Sequence, residues 1–113
     1  MNTFAIIAIT LSQYSINPED SIKYKDQKVE VCGDLVSIKM PENNKQPHVI
    51  SMEGKMNIVI WDSDIKNIEI APDSLVGDKV CVTGIVSVYD LKPQITLKKY
   101  DQIKIIEAKD KNN

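Results

Sequence analysis

The chain has 113 residues, 42% of them hydrophobic and 27% charged, which suits one soluble domain with a single core and leaves no room for a second. Its formal net charge of -2 and pI near 5.3 exclude a protein that draws in polyanions by its overall field, so any nucleic-acid contact has to be local.

From the N-terminus, Phe4 to Leu11 is an apolar run broken only by Thr10. It is too short to span a bilayer and has no basic residue ahead of it, so a secretory signal is a poor match. An extra strand or helical turn on a barrel end is one reading, and the end of a membrane anchor is the sharper alternative. Ser12-Gln13 and Asn17-Pro18-Glu19-Asp20 read as linker, with Asn17 or Ser15 capping a short turn. Residues 1–21 are thus an apolar segment and linker, 22–107 the folded domain, and 108–113 a disordered polar tail.

The domain carries a near-repeat. Lys28-Val-Glu-Val-Cys-Gly-Asp-Leu-Val-Ser-Ile38 recurs in form as Lys79-Val-Cys-Val-Thr-Gly-Ile-Val-Ser-Val-Tyr89. In each copy a basic residue precedes alternating valines, one glycine and a second apolar stretch, the pattern of a long strand that bends in the middle. In the first copy Val29 and Val31 alternate with Glu30 and Cys32, then the apolar phase slips to Val36, Ile38 and Met40. The slip inverts the faces and predicts a bulge or sharp coil at Gly33.

Pro41 to Pro47 is a loop by composition. His48, Ile50 and Met52 form one face of a second strand, and Glu53-Gly54-Lys55 turns the chain into a third. The third strand sets Met56, Ile58 and Ile60 inward and Asn57, Val59 and Trp61 outward. Ser63 to Ile68 fits a short helix capped by Ser or Asp and ended by Pro72. In the fourth strand Val80, Val82, Val86 and Val88 stay in phase across Gly84. Asp90 to Pro93 then turns into a fifth strand with Ile95 and Leu97 inward, which Ile103, Ile105 and Ile106 extend or close.

Three strands, a short helix and two strands, with glycine bends in the first and fourth, resemble the all-β oligonucleotide/oligosaccharide-binding (OB) fold, a five-stranded Greek-key barrel with a short helix between strands 3 and 4. Residues 27–37, 56–61, 77–89 and 93–97 resemble its anticodon-binding type, which includes the OB domain of the exodeoxyribonuclease VII large subunit and small archaeal and bacterial OB proteins. The similarity spans about residues 22–107 and implies single-stranded nucleic-acid binding, to DNA or RNA, with low sequence preference and an accessory role. A protein-interaction OB module, membrane-tethered or envelope-located, is the alternative.

In that fold the ligand surface is the outer face of the second and third strands and the loops flanking it. The resemblance therefore selects Asn57, Val59 and Trp61 on the strands, Lys39, Asn44, Lys45 and His48 around one loop, and Tyr89, Lys92 and Gln94 around the other, with Lys55 and Lys98 completing a positive stripe. Nucleic-acid binding requires phosphate-tracking cations and aromatic platforms, and this chain supplies them sparsely. Trp61 reads as a packing residue over the helix before it reads as a stacking platform, so Trp61→Ala is expected to lower stability more than affinity. A haem-handling barrel would need a histidine in the tail, which has none.

No catalytic constellation emerges. The single histidine, His48, lacks a partner at metal or nucleophile spacing, and each of the four glycines has a turn or bend role. Asp62-x-Asp64 reads as a helix cap and not a cation site. No cofactor, metal or small-molecule ligand is expected, and the domain is expected to be a monomer or weak homodimer. Cys32 and Cys81 read as free thiols of a cytoplasmic protein. A bridge is the competing reading, since first and fourth strands pair in such a barrel, but the repeat alignment places the two cysteines opposite other residues.

Overall fold

The computed structural model describes residues 15–109. The apolar run 4–11 and residues 110–113 lie outside the described residues, so the readings made of them are not addressed by it. No helix among the described residues is long and apolar enough to cross a membrane.

Seven strands form the sheet: β1 (Lys28–Lys39), β2 (His48–Met52), β3 (Met56–Ile60), β4 (Lys79–Ile85), β5 (Ser87–Tyr89), β6 (Lys92–Thr96) and β7 (Ile103–Glu107), in the order β5-β6-β3-β2-β1-β4-β7. One end of that order, β5, continues directly from β4, the strand next to the other end. β4 and β5 are one bent strand interrupted at Val86, whose N–H donates to the Gln27 carbonyl at 3.0 Å and whose carbonyl accepts from the Asp26 N–H at 2.7 Å. With β6 running parallel to β3, the sheet closes on itself. This is the expected OB barrel. The count of strands exceeds five because the fourth strand breaks at Val86 and because residues 103–107 do not extend β6 but pair antiparallel with the outer edge of β4.

Two-residue alternation explains why the interior is apolar. Met56, Ile58 and Ile60 on β3 and Ile50 and Met52 on β2 are completely or almost completely buried, and they meet Val31, Leu35, Val80, Val82, Val86, Ile95 and Leu97 in one cluster. Burying each such side chain contributes about 1.5–3 kcal/mol.

β1 changes partner halfway. Lys28 to Asp34 pair with β4, and Leu35 to Lys39 pair with β2. The predicted slip of phase exists, but its position is Val36 and not Gly33: Leu35 and Ser37 face the consecutive residues Met52 and Ser51, which leaves Val36 as the extra residue of a bulge. Leu35 and Ile38 therefore both point at the core, while Val36 and Met40, predicted inward, are 57% and 50% exposed.

Gly33 has a different task. A Cβ there would sit 2.8 Å from Pro18 Cγ and 3.0 Å from Met52 Cγ, so its absence lets the 3₁₀ turn Pro18–Tyr24 lie against β1 at that point. That turn corrects the linker reading. Ile16 bridges in parallel to Val31, Pro18 and Ser21 are buried, and the Ser21 hydroxyl donates to the Pro18 carbonyl at 2.7 Å, so the barrel's packing begins before residue 22. No side-chain cap from Asn17 is formed. At the other end Lys109 is tied down, its N–H donating to Asp78 Oδ1 at 2.9 Å.

Gly84 is the second close approach: a Cβ would lie 2.5 Å from Cγ2 of the buried Ile95. We predict that Gly84→Ala destabilises the barrel by about 1–3 kcal/mol through overpacking at this crossing. Equilibrium urea unfolding checks it, and an unchanged midpoint would refute the close approach.

The short helix α1 (Ile65–Ile68) stands where expected, after a 3₁₀ turn at Asp62–Asp64. Its predicted Ser or Asp cap is not formed: no side-chain cap hydrogen bond exists, and Asp64 instead lies 3.9 Å from Lys98 Nζ. Nor does Pro72 end it. Glu69 adopts a left-handed conformation (φ 62°) that stops the helix, and Pro72 opens a further 3₁₀ turn, Pro72–Leu75.

The cysteines are the main correction to the sequence reading. Cys32 and Cys81 are direct partners in the β1·β4 register, their Cα atoms 4.0 Å apart, and they form a disulfide. The repeats align in sequence in parallel, but the strands pair antiparallel, which brings each copy's cysteine opposite the other's.

Candidate nucleic-acid interface

Register places residues on the barrel's outer face in rows. Lys39, Val49, Val59 and Thr96 are aligned across β1, β2, β3 and β6, because Lys39 partners Val49, Val49 partners Val59, and Val59 partners Thr96. The adjacent row is Ser37, Ser51, Asn57, Gln94 and Ser87, joined in the same way across five strands. Cα partners share a face of the sheet, so these side chains form one continuous outer surface of short polar groups beside a valine pair. Within it the Ser51 hydroxyl donates to Asn57 Oδ1 at 3.2 Å.

Over this surface lies a groove of about 410 Å³ lined by Lys39, Met40, Gln46, Pro47, Val49, Val59, Trp61, Tyr89 and Gln94. Val59 is its floor, 4% exposed, and the aromatic walls are Trp61 at 40% and Tyr89 at 73% exposure. Trp61, which the sequence reading favoured as packing over the helix, is 40% exposed and lines this groove.

One wall is the loop 40–47. Glu42 N–H donates to Gln46 Oε1 at 2.9 Å and Lys45 N–H to Asn43 Oδ1 at 2.8 Å, side-chain turns that shape a loop lacking regular structure. The opposite wall is the β5–β6 hairpin. Tyr89 partners Lys92, and the two residues between, Asp90 and Leu91, both have positive φ (53° and 65°), the geometry of a type I′ turn. Leu91, a residue that disfavours this conformation, sits 87% exposed at the tip.

Of the predicted site residues, Lys39, Trp61, Tyr89 and Gln94 come together in the groove, and Asn57 lies on the same outer face beneath it. Lys45 and Asn44 are exposed on the loop, and Lys92 flanks Tyr89. Among the described residues Lys39, Lys45 and Lys92 carry no ion pair, so their charge is available to a ligand.

Three predicted residues lie elsewhere. His48 shares the face of Ile50 and Met52, turned toward the barrel interior, and its Nδ1 is buried without a hydrogen-bond partner among the described residues. Lys55 occupies the β2–β3 turn and Lys98 lines clefts outside the groove. Sequence reasoning missed Met40, Gln46, Pro47 and Val49. The alternation of Val49 against His48 and Ile50 is the one signal that marked a member of this set.

Among the described residues the group with metal-ligand spacing is Glu30, Cys32 and Cys81, whose ligand atoms lie within 4.8 Å of one another, but both sulfurs are engaged in the disulfide.

Neither a family model nor a curated protein matches the chain. Solved structures do. The asparaginyl-tRNA synthetase of Pyrococcus horikoshii superposes with a TM-score of 0.62 at 14% identity, over 83% of this chain and 23% of the synthetase. The aspartyl-tRNA synthetase of Entamoeba histolytica gives 0.65 at 9% identity, over 94% of this chain and 24% of that one. The S. pombe Stn1-Ten1 complex gives 0.51 at 15% identity, over 70% of this chain and 57% of the matched one. The chain thus spans about a quarter of either synthetase. At these identities the likeness is one of fold, and the fold is the OB barrel.

Proposed function

We propose that this chain binds single-stranded nucleic acid, with little sequence preference, as an accessory module that acts by binding and not by catalysis. The observation that carries the reading is the groove on the outer face of β2 and β3, where part-exposed Trp61 and Tyr89 and the lysine Lys39 line a floor of Val59, with Lys45 on the adjoining loop and Lys92 beside Tyr89, none of the three lysines ion-paired among the described residues. Bases stack on Tyr89 and Trp61, and the lysines track phosphates. Short polar groups in the row from Ser37 to Ser87 accept any base, which fits weak sequence preference. Structural likeness to two tRNA synthetases supports the anticodon-binding type of OB domain, to which the sequence patterns also point.

The disulfide bears on where this happens. A Cys32–Cys81 bond suits an oxidising compartment, which weighs against the cytoplasmic location expected from free thiols. A protein-binding module is the second reading, and one feature favours it: among the described residues β7 is the outer edge of the sheet, with Ile105 44% and Ile106 53% exposed.

Fluorescence-anisotropy titration with labelled single-stranded DNA and RNA, against an equal-length duplex, tests the proposal. We expect dissociation constants of about 10⁻⁴ to 10⁻⁶ M, a preference for single strands, and affinity that falls with salt. Absence of binding even at low salt would overturn the reading and make the protein-binding one the leading account.

A further inference from the structure

A second cleft, about 790 Å³, lies outside the groove and shares no residue with it. It is formed where the start of β1 (Lys28), the end of β4 (Thr83, Gly84, Ile85) and the end of β6 and the chain leaving it (Thr96, Lys98, Lys99, Asp101, Gln102) meet. Three lysines stand in it against one carboxylate, a local positive excess in a chain whose formal net charge is -2. Lys28 and Lys99 carry no ion pair among the described residues, and Lys98 has only Asp64 at 3.9 Å, with 66% of its side chain exposed.

The cleft is held in shape by Gln102. Its Nε2 donates to the carbonyls of Thr83 at 3.0 Å and Thr96 at 3.1 Å, tying β4 to the end of β6. Its Oε1 accepts the backbone N–H groups of Lys98 at 2.6 Å and Lys99 at 2.9 Å. One half-buried side chain thus fixes the backbone from which both lysines project.

β6 connects this cleft to the groove. Pro93, Ile95 and Leu97 are buried, so Lys92, Gln94, Thr96 and Lys98 form the outward row. Gln94 lines the groove, and Thr96 and Lys98 line the cleft. Along an extended chain Gln94 and Lys98 are about 13 Å apart. We propose that the Lys28–Lys98–Lys99 cleft is a second phosphodiester-binding site, which takes the backbone of a nucleic-acid strand after it leaves the groove along β6. The proposal rests on the nucleic-acid reading of the groove and extends it. It makes affinity depend on ligand length, because a short oligonucleotide fills the groove and a longer one reaches both sites.

The test compares the wild-type chain with the triple variant Lys28→Gln, Lys98→Gln, Lys99→Gln on single strands of about 4 and about 12 nucleotides, lengths within the span that one OB barrel covers. These lysines are exposed, and a matching circular-dichroism melt confirms that the variant is folded. The expected result is a roughly tenfold loss for the longer strand, little change for the shorter, and a slope of log affinity against log salt that is shallower by about 2 for the longer strand, at about 0.7 per phosphate contact. A triple Lys→Arg variant should retain wild-type affinity for both. Wild-type affinity of the glutamine variant for the longer strand, or equal losses on both lengths, would overturn the second site while leaving the groove reading intact. No binding by the wild-type chain at either length would overturn the groove reading and this one with it.

Discussion

Opening the Cys32–Cys81 bond, by reduction or by replacing both cysteines with alanine, is expected to lower the unfolding free energy by about 4 kcal/mol. The bridge links residues 49 apart in sequence, and the chain entropy that such a closed loop withholds from the unfolded state gives that magnitude. Because domains of this size are stable by only about 5–15 kcal/mol, the loss is a large share of the total. The melting temperature should fall by something on the order of 15 °C. Trp61 is the single tryptophan, so its fluorescence reports guanidinium unfolding with and without a reductant. A midpoint indifferent to reductant, with two titratable thiols in the purified protein, would remove the bridge and return the cysteines to the free-thiol reading. The bond joins β1 and β4, the strands that lead respectively into Lys39 and, through Val86, into the Tyr89 hairpin. Reduction should therefore loosen both walls of the groove before it unfolds the barrel.

Tyr89→Ala should weaken single-strand binding by about 1–3 kcal/mol, roughly 5- to 150-fold, the range observed for removal of a stacking platform. At 73% exposure the ring contributes little to the core, so the same variant should change stability by no more than about 0.5 kcal/mol. Trp61→Ala is expected to behave similarly, affinity falling more than stability, which reverses the expectation drawn from its place at the end of a strand. The reversal follows from 40% exposure and from its position on the groove wall. Paired anisotropy and unfolding measurements separate the outcomes. A Trp61→Ala protein that binds normally but unfolds several kcal/mol more easily would restore the packing role. A Tyr89→Ala protein with undiminished affinity would place the bases elsewhere on the barrel.

The two expectations differ in how far the sequence could carry them. Faces were legible: Met56, Ile58 and Ile60 inward against Asn57, Val59 and Trp61 outward follow from period-two alternation, and the structure has them so. The glycines of the near-repeat were legible as special positions, because a strand that omits a side chain at one point has something close at that point, whereas the bulge and the break of the two strands fall at Val36 and Val86. Which neighbour comes close was not, since Pro18 and Ile95 approach Gly33 and Gly84 from 15 and 11 positions away along the chain. The aromatic and basic candidates were half legible. Lys39, Trp61, Tyr89 and Gln94 do converge, whereas His48 turns to the other face and Lys98 lies past the end of β6 in a separate cleft.

By itself, then, the sequence determined the alternation of inward and outward residues, the order of strands and helix, and through these the OB barrel. Those are properties of short stretches of chain, set by side-chain period and by turn residues. Only the tertiary structure decided the pairing of Cys32 with Cys81, the bulge at Val36, the separate β7 on the edge of β4, and the split of the lysines between groove and cleft. Each of these depends on the register between strands far apart in sequence. A shift of one residue there moves every side chain to the opposite face while leaving the local pattern unchanged.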